Sequence, residues 1–433
     1  MSDMTPSPPA PLPQRGEGGD ELSSCPRPFG GEGGAERRVR GFMCHPIVQD
    51  STVKPDNIVL EGEEEMTKIT RRDCIQGTLA GLAAAVVSGA PRVQAASRAP
   101  ETARPARGAI KLAEVFGPGE ESKLRLARQI GINHAIVGVL DALSRVPRDR
   151  YVETLEKIKD VFQAVGMTIA GVESHPVPAE KIKLGLPGRD EEIENYCAAI
   201  KALGNLGIPM VCYNFMAGLG PYRTRVDVPD RGGALVMEFD NQAAIRQGLT
   251  PWGEVSEDKI WGNLEYFLKA VIPVAEKAGV QMALHPDDPP LSPLRGIGRI
   301  LTSAQNYRRV LGIVPSPMNG ITFCQANFKL MGEDIAALAR EWCSQKKIFF
   351  VHFRDVEGTR EHFRETFHDN GPTDMVQMLR VYGEAGFDGP MRPDHAPTLE
   401  GEANDRPGYA MVGKVFAIGY MKGIMKAIEV SYE

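Results

Sequence analysis

Apolar runs that alternate with amphipathic helical patterns constrain the fold of this chain more than any other feature of its sequence. Between about residue 96 and residue 433, eight short runs have the composition of β-strands. They are Ile110–Phe116, His134–Val139, Thr168–Glu173, Pro209–Phe215, Val280–His285, Ile321–Ala326, Ile348–Phe353 and Pro390–Asp394. Continuous apolar runs of this kind are typical of strands that are covered on both faces, as in a parallel sheet.

The segments between these runs show helical periodicity. The predicted helices include Glu153–Ala164, Asp190–Leu206, Leu264–Ala278, Asp334–Gln345 and Asp374–Ala385. Several are followed by a glycine, which is a helix stop signal. Eight strand–helix units predict an α/β fold, a (β/α)8 TIM barrel. The alternative is a doubly wound open sheet, whose dinucleotide-binding form is disfavoured because no GxGxxG motif follows an early strand.

One connection is much longer than the others. Residues 216–258 follow the fourth predicted strand and include Gly218, Gly220, an arginine pair and a candidate hairpin around Ala234–Phe239. Long loops of barrels usually carry function. We therefore interpret this segment as a lid over an active site.

The first 95 residues differ in composition from the catalytic domain, which we place at residues 96–433. Residues 1–40 hold 7 glycines and 7 prolines, a density typical of disordered chain. We interpret residues 1–65 as a disordered tail or as a segment upstream of a true start at Met66. Residues 66–95 follow the order of an export signal, with Arg71-Arg72, a mildly apolar stretch and Val93-Gln94-Ala95.

The arginine pair resembles a twin-arginine signal. It predicts export to the periplasm by that route, with a cytoplasmic location as the alternative if the signal is not used. No apolar run reaches the length of about 18 residues that a membrane-spanning helix needs, so no span is expected in the mature chain.

Charge and cysteine content exclude several classes of protein. Residues 96–433 hold 40 basic and 43 acidic side chains, so this part of the chain is nearly neutral. It lacks the basic block of a nucleic-acid-binding protein. The 7 cysteines form no CxxC pair, so neither a zinc ribbon nor thioredoxin-like chemistry is expected.

Side chains that ligate metals recur at the C-terminal ends of the predicted strands, the face on which barrel active sites lie. His285, Cys324, His352 and Asp394 come from the last four predicted strands. Two imidazoles, a thiolate and a carboxylate suit a divalent transition metal such as Mn²⁺, Fe²⁺, Co²⁺ or Zn²⁺, and not Mg²⁺ or Ca²⁺. Each of these four residues alone has an ordinary structural explanation. The prediction of a metal site depends on their recurrence at the ends of consecutive strands.

Arginines near these ligands are candidates for binding a substrate carboxylate, because the guanidinium fork matches that group. Arg354 and Arg392 flank predicted ligands. Arg223 lies in the predicted lid, where a solvated surface charge is the alternative. The remaining candidates for substrate binding are Asn214, Asp287 and His368.

Seven short stretches follow one another through the C-terminal part of the chain. They are Cys212-Tyr-Asn-Phe-Met216, His285-Pro-Asp-Asp-Pro-Pro290, Asn319-Gly-Ile-Thr-Phe-Cys324, His352-Phe-Arg354, His368-Asp-Asn-Gly-Pro-Thr-Asp-Met375, Met391-Arg-Pro-Asp-His395 and Pro407-Gly-Tyr409. Together they resemble the mannonate dehydratase family, and the resemblance extends from about Ile110 to the C-terminus.

The resemblance implies a (β/α)8 barrel related to the xylose isomerase-like barrels, and a metal-dependent lyase. It implies Mn²⁺, or else Fe²⁺ or Co²⁺, on the four ligands named above. It implies His395 and Tyr409 as the acid–base residues, with their individual roles open. The family reaction is loss of water from D-mannonate, which gives 2-keto-3-deoxy-D-gluconate.

Two stretches depart from the family pattern and keep other functions open. Gln325-Ala-Asn327 stands where the family tends to have small residues, and Gly218–Arg225 differs from the usual Trp-Thr-Arg-like lid. The alternatives are a metal-dependent sugar isomerase or epimerase on the same barrel and a non-catalytic exported sugar-binding barrel. The expected partner is a small-molecule sugar acid, and self-association into a homo-oligomer is left open.

Overall fold

The barrel predicted from the sequence is confirmed. The computed structural model describes residues 108–433, so the predicted tail and signal peptide at residues 1–95 lie outside the described residues. Its eight parallel barrel strands are β1 (Lys111–Phe116), β2 (His134–Val137), β3 (Thr168–Glu173), β4 (Met210–Asn214), β7 (Gln281–His285), β8 (Asn319–Cys324), β9 (Ile348–His352) and β12 (Pro390–Arg392). They close in the order β1-β12-β9-β8-β7-β4-β3-β2.

Helices follow the strands, as in a (β/α)8 barrel. Their bounds are α1 (Glu121–Gln129), α2 (Leu140–Leu143), α3 (Tyr151–Ala164), α4 (Glu180–Leu184), α5 (Arg189–Asn205), α6 (Asn241–Arg246), α7 (Glu257–Ala278), α8 (Ala304–Ile313), α9 (Gln325–Leu330), α10 (Ile335–Ser344), α11 (Met375–Glu384) and α12 (Met411–Ala427). Short 3₁₀ turns lie at Arg148–Arg150 and Arg231–Gly233. Within residues 108–433, no helix is both long and apolar enough to cross a membrane.

The local signals in the sequence explain where these helices begin and end. Helix α7 begins at Glu257, earlier than the predicted Leu264, because the Ser256 hydroxyl caps it by accepting a hydrogen bond from the backbone N–H of Lys259. It ends at Gly279, which has a φ of 68°. Only glycine adopts that left-handed conformation at little cost, so it stops the helix there.

The core has two apolar layers. One lies between the strands and the surrounding helices. The other fills the barrel itself, with small side chains such as Ala113, Ala170 and Ala283 interleaved with Phe349 and Phe350. Because this filling is apolar, the polar side chains at the carboxyl ends of the strands are concentrated at one end of the barrel.

A second, smaller sheet covers part of that end. It consists of the antiparallel strands β5 (Arg225–Pro229), β6 (Leu235–Asp240), β10 (Val356–Thr359) and β11 (His362–Glu365), in the order β10-β11-β6-β5. Strands β5 and β6 form the hairpin expected in residues 216–258, whereas β10 and β11 were not predicted. Two backbone hydrogen bonds of 2.9 Å join Leu235 of β6 to Thr398, in the loop after β12.

Candidate active site

A cavity opens at the carboxyl ends of the barrel strands. Seven of the predicted site residues line it, namely Asn214, His285, His352, Arg392, Asp394, His395 and Tyr409. They come from β4, β7, β9, β12 and the segment after β12, which meet only because the barrel closes. The predicted convergence of strand-end residues is therefore present in the structure.

Three predicted metal ligands form a cluster at the ends of the neighbouring strands β7, β8 and β9. The candidate ligand atoms of His285, Cys324 and His352 all lie within 4.8 Å of one another. His285 Nε2 and His352 Nδ1 are 3.2 Å apart. We call these three residues the ligand trio.

The ligand trio is uncharged in its buried setting. Burial and the neighbouring His352 lower the pKa of His285 to about 3, and burial with the nearby Arg392 lowers the pKa of His352 to about 3. Burial raises the pKa of the Cys324 thiol to about 12. Neutral imidazole nitrogens and a sulfur that can lose its proton to a bound cation are suitable donors for a divalent transition metal.

The fourth predicted ligand, Asp394, lies beside the ligand trio. Its Oδ2 is 3.5 Å from His352 Nδ1 and accepts a hydrogen bond of 2.7 Å from Arg354 Nε. Its Oδ1 is 2.7 Å from Arg392 Nη2. Burial opposes ionisation, but the adjacent Arg392 holds the pKa of Asp394 well below its usual range. Asp394 is therefore an anion that is shared between the predicted metal position and two arginines.

Arg223 and Arg354 lie behind the cavity and bind two buried carboxylates. Arg223 Nη1 donates to Asp288 Oδ1 at 2.8 Å, and its Nη2 donates to Glu365 Oε1 at 2.6 Å. Arg354 Nη2 donates to Asp288 Oδ2, and its Nη1 donates to Glu365 Oε2, both at 2.9 Å. The Arg223 side chain is only 6% exposed, so it is not a solvated lid charge. We call Arg223, Arg354, Asp288, Glu365 and Asp394 the ionic network.

Arg392 is the predicted carboxylate-binding arginine that lines the cavity. Its Nη2 donates to Glu173 Oε1 at 2.5 Å and contacts Asp394. Within residues 108–433, its Nε and Nη1 are buried without a hydrogen-bond partner. Arg392 therefore has two unused donors for an anion in the cavity.

His395 and Tyr409, the predicted acid–base pair, are in contact with each other. The Tyr409 hydroxyl and His395 Nε2 are 3.3 Å apart. On the other side of the imidazole ring, His395 Nδ1 is 3.0 Å from Glu365 Oε1. Burial raises the pKa of Tyr409 above its usual value, although Arg392 opposes the shift.

With this geometry established, comparison with known proteins identifies the family. The sequence model of the D-mannonate dehydratase family matches residues 110–248 and 242–433. The chain belongs to the mannonate dehydratase family. A mannonate dehydratase 2 from Halalkalibacterium halodurans is 34% identical over 343 residues, which cover 72% of this chain and 97% of that protein. Mannonate dehydratase from Thermotoga maritima is 33% identical over 350 residues, covering 72% and 96%.

A solved structure gives the same result for the fold. The crystal structure of mannonate dehydratase from Streptococcus suis serotype 2 superposes with a TM-score of 0.67 at 31% sequence identity. The match covers 75% of this chain and 96% of the other. The likeness therefore extends over nearly the full length of that family member.

Besides Arg223 and Arg354, two further predicted substrate-binding residues of this mannonate dehydratase family member, Asp287 and His368, lie outside the cavity lining. Asp287 accepts hydrogen bonds from the backbone N–H of Leu301 at 2.7 Å and from Arg299 Nη1 at 3.1 Å. His368 Nε2 is 2.8 Å from the backbone oxygen of Pro393. Both side chains are buried and fix loops behind the site.

Three carboxylates at the site are not among the predicted site residues: Glu173, Asp288 and Glu365. Glu173 and Asp288 line the cavity, and Glu365 contacts His395 from behind. Glu173 ends a predicted strand, so the criterion that selected the other strand-end residues could have found it. Glu173 also forms a second group of candidate ligands with Cys212 and His352, which shares His352 with the ligand trio.

Proposed function

We propose that this chain removes water from the sugar acid D-mannonate and releases 2-keto-3-deoxy-D-gluconate. One observation carries the proposal. In a member of the mannonate dehydratase family, one end of the barrel brings together the ligand trio, an arginine with unused donors and a contacting His–Tyr pair. Those are the groups that loss of water from a hydroxy acid needs.

The substrate carboxylate binds at Arg392. The Nε and Nη1 groups of this arginine are buried donors without a partner within residues 108–433, and each can donate a charge-assisted hydrogen bond to an anion. Asn214 lies on the opposite side of the cavity lining, at the end of β4. Its Oδ1 accepts a hydrogen bond from the backbone N–H of Met216 at 3.2 Å, which leaves the side-chain amide to donate to a substrate hydroxyl.

Mn²⁺, or else Fe²⁺ or Co²⁺, is the proposed cofactor, held by His285, Cys324, His352 and Asp394. The neutral, closely spaced donors of the ligand trio support this assignment. When bound, a divalent cation supplies stabilisation of the negative charge that develops at the substrate carboxylate when the neighbouring C–H bond breaks.

His395 and Tyr409 transfer the two protons. One of them removes the proton from C2 of the substrate, and the other gives a proton to the C3 hydroxyl, which leaves as water. The electron pair of the C2–H bond forms the double bond as the C3–O bond breaks. The enol that results becomes the 2-keto acid by proton transfer to C3. The contact of 3.3 Å between the two side chains allows the pair to exchange a proton and return to its starting state.

We also propose that residues 66–95 direct export to the periplasm. The support is the order of basic, mildly apolar and small residues in that segment, including Arg71-Arg72. Fractionation of cells that carry the full chain tests this proposal, with Arg71→Lys/Arg72→Lys as the matched variant. Retention of the variant in the cytoplasm is the expected result, and equal distribution of both chains contradicts it.

The test of the reaction is a turnover assay on metal-stripped full-length protein. Mn²⁺ and a panel of hexonates and pentonates are added, and 2-keto-3-deoxy acids are measured. We expect product from D-mannonate only with the metal. Tyr409→Phe should reduce kcat by roughly 10² to 10⁴-fold, the usual range for an acid–base group, while bound metal stays unchanged. Bound metal without a keto acid from any substrate overturns the proposal and favours an isomerase.

A further inference from the structure

Glu365 is a buried carboxylate that the reaction described above does not use, yet it contacts one of the two acid–base residues. It ends β11 of the small sheet, whereas His395 follows β12 of the barrel. The Glu365 side chain is 5% exposed and that of His395 is 10% exposed. The contact of 3.0 Å between Glu365 Oε1 and His395 Nδ1 therefore lies almost entirely out of water.

The surroundings of Glu365 keep it ionised. Burial alone would raise the pKa of Glu365, but the guanidinium groups of Arg354 and Arg223, which both donate hydrogen bonds to this carboxylate, lower it. An ionised carboxylate has acceptors and no donor. The hydrogen of the contact therefore belongs to His395 Nδ1, which donates to Glu365. In a neutral imidazole the other nitrogen, Nε2, then carries a lone pair and accepts from the Tyr409 hydroxyl, 3.3 Å away.

We propose that Glu365 is a positioning residue, which fixes His395 with its proton on Nδ1 and its Nε2 lone pair towards Tyr409 and the cavity. This inference rests on the proposed function, because it assigns the tautomer and the orientation with which His395 takes part in the dehydration. The proposal also assigns a role in catalysis to the small sheet. The sheet brings a carboxylate to a catalytic histidine at the end of the barrel where the cavity opens.

The backbone holds this carboxylate in a fixed place. Strand β11 pairs with β6, with Phe363 opposite Phe239. Strand β6 is joined in turn by two backbone hydrogen bonds to Thr398, three residues beyond His395 in the same loop. The carboxylate and the imidazole are thus fixed to one continuous backbone frame. The frame limits their relative movement, as a group that orients a catalytic histidine requires.

Kinetics of Glu365→Gln provide the first test. The amide can donate to Nδ1 and so stabilise the other tautomer, with the proton on Nε2. We expect kcat to fall by about 10² to 10⁴-fold, as when a carboxylate that orients a catalytic histidine becomes an amide, with KM changed less than about threefold. The matched control is Arg364→Gln on the same strand, an exposed residue paired with Glu357. Its kcat should remain close to that of the wild type.

A wild-type kcat in Glu365→Gln, or an effect confined to KM, overturns the proposal. A purely structural role predicts a different pattern, in which bound substrate and stability are lost and kcat of the folded fraction is kept. The Glu365→Asp variant adds a further check, because it keeps the charge and shortens the side chain. It should restore part of the lost kcat.

A second measurement does not depend on activity. The chain has 8 histidines, so ring nitrogens labelled with ¹⁵N give few resonances, and His395→Asn identifies the ring of interest. The Nδ1–H tautomer of His395 in the wild type, and its loss in Glu365→Gln, support the proposal. The Nε2–H tautomer in the wild type, or a ring that Glu365→Gln leaves unchanged, overturns it. Failure of the wild type to dehydrate any sugar acid would instead refute the proposed function. The ¹⁵N resonances would still show whether Glu365 sets the tautomer of His395.

Discussion

The ligand trio and the ionic network lie side by side at one end of the barrel, both buried, and differ in almost every other respect. The ligand trio consists of neutral donors. The ionic network consists of charges that bind one another through short, charge-assisted hydrogen bonds. The difference shows how a barrel can prepare a place for a cation. The donors that would bind it are left free, while all but one of the charges in the ionic network are compensated.

The balance of charge within the ionic network also favours a cation. It has two arginines and three carboxylates, so one negative charge remains. The carboxylate nearest to the ligand trio is Asp394, 3.5 Å from His352 Nδ1. In a buried setting such an excess charge attracts a positive ion more strongly than it would in water.

The largest expected effect comes from removing a donor of the ligand trio. Cys324→Ala should lower turnover at least about 10³-fold, or about 4 kcal/mol of transition-state stabilisation. Metal measured by elemental analysis should be lost with it. The free energy of unfolding of the metal-free chain should change by less than about 2 kcal/mol, since only a small neutral group is removed. Cys343→Ala, at a half-buried cysteine of α10, is the control and should keep its metal. Full metal content in Cys324→Ala would contradict the prediction.

In the ionic network, by contrast, a substitution should lower the free energy of unfolding of the metal-free chain. Arg354→Met leaves the carboxylates of Asp288, Glu365 and Asp394 without one of their partners. Breaking a buried pair in this manner costs about 3–5 kcal/mol of unfolding free energy, measured by urea denaturation of the metal-free chain. Arg340→Met, which breaks an exposed pair with Glu384, should change it by no more than about 1 kcal/mol. Equal losses in the two variants would show that burial does not distinguish the two ion pairs.

The smallest effects are expected at the neighbouring residues Asp287 and Asp288. Asp288 lines the cavity, whereas Asp287 bonds to Leu301 and Arg299 outside the cavity lining. Asp287→Asn should cost about 1–3 kcal/mol of stability, since its amide nitrogen must face the donor Leu301 N–H or Arg299. Its KM should stay within about threefold of the wild-type value. Asp288→Asn changes a residue of the cavity lining and should raise KM. A larger KM effect in Asp287→Asn than in Asp288→Asn would mean that Asp287 binds substrate directly.

The sequence predicts the eight barrel strands to within two residues at each end, because their signals are local. Apolar runs mark the strands, and residues such as Gly279 mark the ends of the helices. Strands β10 and β11 cannot be predicted from such local signals. His362-Phe-Arg-Glu365 has one apolar residue and forms a strand through pairing with β6, which lies far away in the chain. Pairing with a distant strand does not require an alternation of apolar and polar residues within the segment itself, so the sequence gives no local signal of the strand.

The candidate site shows the same limit. The strand-end rule finds His285, Cys324 and His352, because barrel closure brings strand ends together whatever the loops do. It does not decide between Asp287 and Asp288, because the loop conformation determines which carboxylate turns into the cavity. It also cannot find Glu365, whose place depends on the pairing of β11 with β6, a strand far away in the chain.

Asp394 has a backbone φ of 60°. Most side chains avoid this left-handed conformation at a cost of roughly 1–2 kcal/mol, whereas aspartate, asparagine and glycine tolerate it. The constraint bears on how the site can evolve. A single substitution to glutamate, which would offer another carboxylate here, would carry this backbone cost in the turn after β12. Selection for a different metal should therefore leave this position as aspartate and alter the ligand trio instead.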